Sequence, residues 1–323
     1  MKKYLVTGIN GFVAYHFLIH LNMLCEDSEV LGIDLNISDT ARDYFFENIK
    51  LNLIELNLLE YRSLEIAIVS FCPDYIVHLA SFSSVSKSWE MPLESFLNNT
   101  NIFLNIAEIV RHNKIYCRIL SIGSSEEYGL VKESEIPLKE DARLFPGNPY
   151  AVARVSQEML SKCYADSYGL DIILTRSFNH VGVGQRLDFA IPSFAKQISE
   201  YIKQGKKEAK LITGDITIIR DFIDVRDASS AYLSLLKNGK TGEIYNVCSG
   251  KGYSLKEIIC FLGTIFNIKV ITEIDQKIIR PVDSKIIIGS FEKIKKHTGW
   301  QPKIELKDSL KIIAKDLLTS IQN

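Results

Sequence analysis

The amino-acid sequence predicts an α/β protein built on a doubly wound parallel sheet, with a smaller C-terminal domain. Short β-branched segments alternate with longer helical patterns through the first half of the chain, and the short segments are apolar throughout rather than at alternate positions. Strands of that kind are typical of a parallel sheet that helices cover on both faces. The alternation loosens after about Asn179, so we expect domains at residues 1–178 and 179–323, with segments crossing between them.

The predicted elements follow from these patterns in chain order. Strands of the first half are predicted at Tyr4–Thr7, Val30–Asp34, Leu51–Leu56, Tyr75–Leu79, Cys117–Ile122 and Ile172–Thr175. Helices between them are predicted at Phe12–Cys25, Arg62–Phe71, Leu93–His112 and Pro149–Tyr168. The second half should contain a strand near Leu211, loops over Gly214–Asp227, a strand at Ile244–Val247, and helices at Ile191–Gln204, Leu255–Phe266 and Leu306–Thr319.

The overall composition excludes several classes of protein. Hydrophobic residues make up 46% of the 323 residues and charged residues 24%, which is the ordinary globular balance. A formal net charge of −1 gives no electrostatic reason to expect a nucleic acid or a membrane as partner. The six cysteines lack metal-site spacing, so we expect reduced thiols and no metal. Without a signal peptide or a long apolar stretch, we expect a cytoplasmic protein.

A Gly-rich turn joins the first strand to the first helix, with the sequence Thr7-Gly8-Ile9-Asn10-Gly11-Phe12-Val13-Ala14. Gly8 permits a tight turn there, and Gly11 lets the backbone approach a pyrophosphate, which the N–H groups and dipole of the helix start would stabilise. Ala14 stands where a third glycine is usual. The turn predicts a Rossmann-type dinucleotide site, and the alternative is a glycine turn without a ligand. The cofactor-binding candidates here are Gly8, Asn10, Gly11, Phe12 and Val13.

The next strands end in residues that suit the same cofactor. Asp34 ends the second strand, where its carboxylate can accept hydrogen bonds from ribose hydroxyls and would repel a 2′-phosphate. We therefore expect NAD rather than NADP, unless Asp34 only caps the following turn. Ligands of open α/β sheets bind at the carboxyl ends of strands. Further cofactor-binding candidates at such ends are Asn57, Leu58 and Ala80.

Two later motifs predict acid–base chemistry. Ser124-Ser125-Glu126-Glu127-Tyr128-Gly129 follows the fifth strand, and Pro149-Tyr150-Ala151-Val152-Ala153-Arg154 opens a long helix. Tyr150 and Arg154, four positions apart, share one helical face, where the cation can stabilise a phenolate. A phenol with a pKa of about 10 needs such help to act as a base near neutral pH. The alternative is that Tyr150 only packs at the helix start.

With these motifs the chain resembles the extended short-chain dehydrogenase/reductase family. Within it the chain is most similar to the GDP-sugar branch of GDP-4-keto-6-deoxymannose reductases and GDP-mannose 4,6-dehydratases. The resemblance extends from the glycine turn to the C-terminal Thr298-Gly299-Trp300-Gln301-Pro302 segment. The other segments that carry it are Ile122–Gly129, Ser177–His180, Arg220–Asp227 and Tyr245–Gly250. It implies a GDP-sugar as substrate, bound by the C-terminal domain.

The resemblance implies catalytic roles for five residues. Tyr150 would be the acid–base group at the sugar C4 hydroxyl, with Ser124 holding the same oxygen and Ser125 beside it. Arg154 stands where the family has lysine. Its guanidinium keeps a positive charge near the nicotinamide ribose but cannot relay a proton. Glu126 falls at the base that removes the C5 proton in dehydratases.

The resemblance also implies substrate-binding residues. Arg220 and Arg280 would clamp the diphosphate, a task that suits the bidentate fork of a guanidinium. Each could equally be a surface ion-pair residue, and Lys196, a further phosphate candidate, could simply face water. The substrate-binding candidates are Ser84, Asn179, Lys196, Arg220 and Arg280.

Two reactions use the same constellation. In a 4,6-dehydratase, Tyr150 takes the C4 hydroxyl proton as hydride passes to NAD⁺, Glu126 removes the C5 proton, water leaves C6 and hydride returns to C6. A C4 reductase instead consumes NAD(P)H to reduce a 4-keto sugar. Because Asp34 favours NAD, which suits an internal redox cycle, the prediction is a GDP-sugar 4,6-dehydratase in nucleotide-sugar biosynthesis for surface glycans.

Two alternatives to the dehydratase remain open. One is a GDP-4-keto-6-deoxymannose C4 reductase, and the other is a non-catalytic regulator that binds NAD or a nucleotide sugar. The helices Leu93–His112 and Pro149–Tyr168 resemble those that form the dimer interface of the family. We therefore expect a homodimer.

Overall fold

The strands and helices are described for residues 1–279 and 283–322, from a computed structural model. The strands are β1 (Lys2–Thr7), β2 (Ser28–Asp34), β3 (Ile49–Glu55), β4 (Tyr75–His78), β5 (Arg118–Ser124), β6 (Asp171–Ser177), β7 (Asn179–Val181), β8 (Glu208–Thr213), β9 (Ile219–Asp224), β10 (Ile244–Val247), β11 (Gly252–Ser254), β12 (Lys269–Ile274) and β13 (Ile286–Ile287). The α-helices are α1 (Phe12–Met23), α2 (Asp39–Arg42), α3 (Tyr61–Phe71), α4 (Val85–Glu90), α5 (Pro92–Phe96), α6 (Ile102–His112), α7 (Pro149–Tyr168), α8 (Ala190–Lys203), α9 (Val225–Asn238), α10 (Leu255–Phe266), α11 (Glu292–Thr298) and α12 (Leu306–Gln322).

A seven-stranded parallel sheet forms the centre of the structure, in the order β10-β6-β5-β4-β1-β2-β3. Successive residues of β1 face opposite sides: Leu5 packs with the helices α3, α6 and α7, whereas Val6 packs with α1 and α9. Both side chains are fully buried, because helices cover both faces. The predicted Rossmann-type doubly wound sheet is therefore confirmed. Strand order changes direction between β1 and β4, which is where such sheets bind ligands.

The C-terminal region adds smaller sheets and three packed helices. β8 pairs with β12, while β9 pairs with β7, β11 and β13. The helices α8, α10 and α12 share a hydrophobic core with buried Ile198, Ile258 and Leu310. Two elements of this half return to the main sheet: β10 extends it beside β6, and α9 packs against α1. The domain boundary near Asn179 stays a prediction. None of the described helices combines the length and apolar character needed to cross a bilayer.

Two predicted elements differ from the structure. The loop predicted over Gly214–Asp227 is wrong in part, because it contains strand β9 and the start of α9. Arg220 and Asp221 lie buried in that strand, so its apolar pattern is interrupted. The single helix predicted at Leu93–His112 is divided into α5, a π-helical turn at Leu97–Asn101 and α6. Asn99 in that turn bonds both backbone groups of Phe82 instead of facing solvent.

The turn after β5 depends on Gly129. Residues Ser125–Tyr128 form a 3₁₀ turn that ends at Gly129, whose φ is +64°. A Cβ at this position would overlap the carbonyl oxygen of Phe145. Only glycine therefore closes the turn that presents Ser124 and Glu126.

Replacing Gly129 with alanine should destabilise the protein by more than about 3 kcal/mol, since left-handed strain and a backbone overlap add together. Gly169→Ala is the matched control. Gly169 also has a left-handed φ, +71°, but no atom lies within 4 Å of the added Cβ, so about 1 kcal/mol should be lost. Urea unfolding of both variants measures the difference. Equal losses would show that the overlap with Phe145 is relieved at little cost.

Two histidines, the buried His78 and the half-buried His180, link elements near the sheet edge. His78 Nδ1 lies 2.9 Å from Thr7 Oγ1, which links β4 to β1. His180 Nε2 lies 2.9 Å from Tyr232 Oη, which links β7 to α9. The second ring nitrogen of each histidine has no hydrogen-bond partner in the described part of the chain. Burial lowers the pKa of His78 to about 3 and the pKa of His180 to about 4.

The free energy of unfolding should therefore fall at pH values that are still too high to protonate these histidines in the folded protein. Their folded pKa values lie below the unfolded value of about 6.5, so the unfolded state binds more protons and stability falls as pH drops below that value. Between pH 7.5 and 5.5 each histidine should cost about 1.4 kcal/mol. Urea unfolding at both pH values should show a smaller loss for His78→Asn, which keeps a polar group facing Thr7. An unchanged loss would mean that His78 protonates normally in the fold.

Candidate active site

The glycine turn at the carboxyl end of β1 lies close against the backbone that follows β4. Gly8 has a φ of +74°, and a Cβ there would lie 2.7 Å from the backbone nitrogen of Ala80. Ala80 N donates to Thr7 Oγ1 at 3.2 Å, which holds the end of β4 against the turn. Gly11 N donates to Gly8 O at 2.9 Å, and no described side chain caps the start of α1. A turn with a glycine at each end, followed by uncapped N–H donors, fits the pyrophosphate of a dinucleotide.

The other residues of the turn hold it in place. Asn10 Oδ1 accepts hydrogen bonds from the backbone nitrogen and the hydroxyl of Ser38, both at 3.1 Å. Its amide nitrogen bonds the carbonyl of Asn36. Phe12 packs its ring against His16, and Val13 packs against the sheet core. These side chains support the turn, which leaves the backbone for ligand contact.

The Asp34 carboxylate is fixed at the end of β2. Its Oδ2 accepts a hydrogen bond from Asn10 N at 3.0 Å, and its Oδ1 accepts one from Leu35 N at 2.8 Å. The bond from Leu35 N agrees with the alternative in which Asp34 caps the following turn. A carboxylate oxygen has a second lone pair, so these bonds leave acceptor capacity for ribose hydroxyls.

Two cofactor-binding candidates follow β3. Asn57 is exposed, and its Oδ1 accepts from Leu59 N at 3.0 Å. Leu58 is buried, and its carbonyl accepts from Asn105 Nδ2 at 3.1 Å. Asn57 thus shapes the turn after the strand, while Leu58 belongs to the core beneath it. Their predicted roles remain predictions.

Tyr150 and Arg154 meet on the buried face of α7. Asn148 caps this helix by accepting from Ala151 N at 2.8 Å, and Pro149 occupies its first turn, so Tyr150 lies at the helix start. Arg154 Nε donates to Tyr150 Oη at 3.2 Å. The guanidinium is only 4% exposed, so its charge acts on the phenol with little screening by water.

Arg154 has three further partners. Its Nη1 donates to Ile122 O at 2.9 Å and to Gln157 Oε1 at 2.6 Å, and its Nη2 donates to Ser81 Oγ. Four of the five N–H donors of the guanidinium are therefore engaged. Neither Gln157 nor Ser81 was among the site residues predicted from the sequence. The signal for Gln157 was its spacing, three positions after Arg154 on the same helix.

The turn after β5 is tied to the start of α7. Ser124 Oγ accepts from Glu126 N at 3.2 Å, and the Glu126 carboxylate accepts from Asn148 Nδ2 at 3.0 Å. Ser125 is buried within the turn. The predicted catalytic residues on the two elements are thereby held in a fixed relation to Tyr150.

Glu127, which the sequence analysis left aside, supports this turn from below. It is fully buried, and its Oε1 accepts from Ser124 N at 2.6 Å. Arg176 lies 4.0 Å away and forms a bidentate pair with Glu158 at 2.7 and 2.8 Å. Burial and the neighbouring Glu158 charge raise the pKa of Glu127, which favours its protonated form. The Arg176 guanidinium therefore neutralises the Glu158 carboxylate, while the protonated form of Glu127 is favoured.

The substrate-binding candidates lie in different settings. Ser84 caps α4, and Asn179 Nδ2 donates to Asp221 O at 3.2 Å. Arg220 is buried and forms an ion pair with Asp283. Lys196 is half-exposed and lies 3.9 Å from Glu200, so it resembles an ordinary helix-surface pair. Arg280 lies outside the described residues.

The chain is similar in sequence and in fold to known nucleotide-sugar enzymes. A family model described as GDP-mannose 4,6 dehydratase matches residues 5–313. The chain is 31% identical over 319 residues to the GDP-6-deoxy-D-mannose reductase of Pseudomonas aeruginosa, covering 98% of this chain and 97% of the relative. The solved structure of RMD from Pseudomonas aeruginosa complexed with NADPH matches with a TM-score of 0.83 and 31% identity, covering 99% of this chain and all of the other.

A UDP-glucose 4-epimerase from Thermus thermophilus, solved with NAD, matches with a TM-score of 0.83 and 25% identity over 98% of both chains. Similarity therefore extends across the sheet, the glycine turn and the C-terminal region together. On that basis the chain is an enzyme of the extended short-chain dehydrogenases/reductases and belongs to their GDP-mannose 4,6-dehydratase family.

Proposed function

We propose that the chain is an NAD(P)H-dependent C4 reductase of a GDP-4-keto-6-deoxyhexose such as GDP-4-keto-6-deoxymannose. The observation that carries this proposal is the similarity to a GDP-6-deoxy-D-mannose reductase along nearly the whole of both chains. It favours the reductase over the 4,6-dehydratase that we expected from Asp34. A non-catalytic regulator is disfavoured, since the family consists of enzymes and Tyr150 contacts a buried cation.

The residues at the end of β5 and the start of α7 suit a ketone reduction. A bound reduced nicotinamide would supply the hydride. Tyr150 then donates its phenolic proton to the oxygen that forms at C4. Ser124 Oγ already accepts from Glu126 N, so its hydroxyl hydrogen can point at the same oxygen. Arg154 stabilises the remaining phenolate through Nε. Since arginine keeps its protons, Tyr150 must recover its proton from water.

Arg220 is the proposed diphosphate residue that the structure supports most. Its guanidinium is buried on β9, next to the strand that begins with Asn179. Buried guanidiniums bind diphosphate oxygens through two parallel hydrogen bonds. Ser84 and Asn179 are retained as contacts of the sugar nucleotide, whereas the Lys196 side chain is exposed on α8.

NADH is the cofactor that we propose. Asp34 lies in register with Glu55 at the ends of β2 and β3, so two carboxylates share this edge of the sheet. Arg42, a cation nearby, already forms an ion pair with Glu55 at 2.7 Å. A 2′-phosphate at this edge would face the charge of Asp34, whereas ribose hydroxyls would donate to it.

The dehydratase remains the second candidate because of Glu126. Its partly exposed carboxylate is held by Asn148 next to Tyr150, at the position that the resemblance gives to the C5 base. A C4 reductase does not remove the C5 proton, so it does not need the Glu126 carboxylate as a base, whereas a dehydratase does.

Purified protein should oxidise NADH when GDP-4-keto-6-deoxymannose is supplied, with a lower kcat/KM for NADPH. Tyr150→Phe removes the proton donor and should lower kcat at least about 100-fold. Loss of NADH absorbance and chromatography of the GDP-sugars measure both. Conversion of GDP-mannose with NAD⁺ alone into a 4-keto-6-deoxy product would instead establish the dehydratase.

Glu126→Gln is the control that separates the two reactions. Glutamine keeps an oxygen that can accept from Asn148, so a reductase should retain kcat within about tenfold. A dehydratase with this substitution should stop after C4 oxidation and accumulate NADH.

We also propose a homodimer through an apolar face made by α5, the adjacent π-helical turn and α7. These elements pack together, and their exposed side chains include Leu93, Phe96, Val152 and Met159. Val152 and Met159 lie two turns apart on one side of α7. Apolar faces of this kind on neighbouring helices are typical of subunit interfaces.

Val152→Glu should convert the dimer to a monomer, because it places a charge within that face. Val69→Glu on α3 is the matched control, since Val69 is 43% exposed and Val152 is 44% exposed. Sedimentation equilibrium of both variants measures the mass. A wild-type monomer, or a Val152→Glu dimer, would refute the proposed interface.

A further inference from the structure

The uncharged side chain of Gln157 is fully buried and lies beside the buried cation Arg154. Its Oε1 accepts from Arg154 Nη1 at 2.6 Å. Its Nε2 donates to Ser121 Oγ at 2.9 Å and to Ile122 O at 3.3 Å. Gln157 therefore joins Arg154 to strand β5.

The surrounding hydrogen bonds allow one orientation of the Gln157 amide. Ser161 Oγ donates to the carbonyl oxygen of Gln157 at 2.8 Å, which uses its single hydroxyl hydrogen. The contact of 2.8 Å between Ser121 Oγ and Ser161 Oγ must then be donated by Ser121. Ser121 can thus only accept from the Gln157 amide. A reversed amide would place its oxygen against Ser121 and Ile122 O, where neither can donate, so Oε1 faces Arg154.

An arginine at position 154 has five N–H donors that need acceptors when buried, whereas a lysine has three. Beyond Nε, the guanidinium carries two more nitrogens into a site that excludes water, and each buried N–H group requires an acceptor. The three nitrogens are held in one rigid plane. Fixing Nη1 therefore also fixes the direction in which Nε–H points, which is toward Tyr150.

We propose that Gln157 is a positioning residue that clamps the Arg154 guanidinium so that Nε stays on Tyr150 Oη. This inference rests on the proposed acid–base role of Tyr150. Ile122 O also holds Nη1, and Ser81 Oγ holds Nη2. Without Gln157 Oε1, one N–H of Nη1 loses its acceptor, the plane turns, and Nε leaves the phenol.

A double-mutant cycle between Gln157 and Arg154 tests the clamp. Gln157→Met keeps the side-chain length but removes the acceptor, and should lower kcat about tenfold with KM changed less than about twofold. In an Arg154→Lys background the same substitution should change kcat less than about twofold, because lysine has no Nη1. Equal losses in both backgrounds would overturn the proposal and leave Gln157 a packing residue.

A second measurement needs no turnover. In ¹⁵N-arginine NMR spectra, the Arg154 side-chain signals are assigned by their absence in Arg154→Lys. In the wild-type enzyme a clamped guanidinium should give separate, slowly exchanging Nη signals, and Gln157→Met should merge them. Signals of Arg176, which Glu158 holds in a bidentate pair, serve as the internal control for an intact fold.

The two measurements separate the clamp from the proposed reaction. Unchanged Arg154 signals in Gln157→Met would refute the clamp whatever the substrate is. Merged signals in a protein that reduces no GDP-4-keto sugar would refute the proposed reaction alone.

Discussion

The site depends on a buried cation, Arg154, four of whose five N–H donors are hydrogen-bonded. Arg154 connects the start of α7, the end of β5 and the loop after β4 through contacts to Tyr150, Ile122 and Ser81. An uncompensated charge at such a position would destabilise the fold, and removal of an acceptor would leave a buried donor unsatisfied. The same contacts therefore hold the three elements together and set the electrostatic environment of the phenol.

Much of the fold was predictable because strands that helices cover on both faces of a sheet contain runs of consecutive apolar residues. β1 and β4 contain consecutive apolar residues, Tyr4–Val6 and Tyr75–Val77, and the glycine turn marks where the first strand meets its helix. β9 was missed because Arg220, Asp221 and Asp224 are charged, yet all three are buried in it. Arg220 and Asp221 have partners distant in sequence, Asp283 and Ser249, which no local pattern predicts.

The candidate site was predictable to a similar extent. Spacing along a helix placed Tyr150 and Arg154 together, since four positions complete about one turn. The supporting residues were not found, because Glu127 and Gln157 act through burial and through partners on other elements. The orientation of Asp34 was not predictable from its residue type either, since its two oxygens accept from Asn10 in the glycine turn and from Leu35.

The return of β10 to the main sheet has a consequence for biosynthesis. This strand covers the edge of β6, and α9, which precedes it, covers α1. A nascent chain that has emerged only as far as Asn179 therefore exposes both an unpaired strand edge and part of the apolar surface of the sheet. About seventy more residues must leave the ribosome before that surface closes. The part of the chain that forms the central sheet thus completes its folding late in translation, during a period when chaperones can bind it.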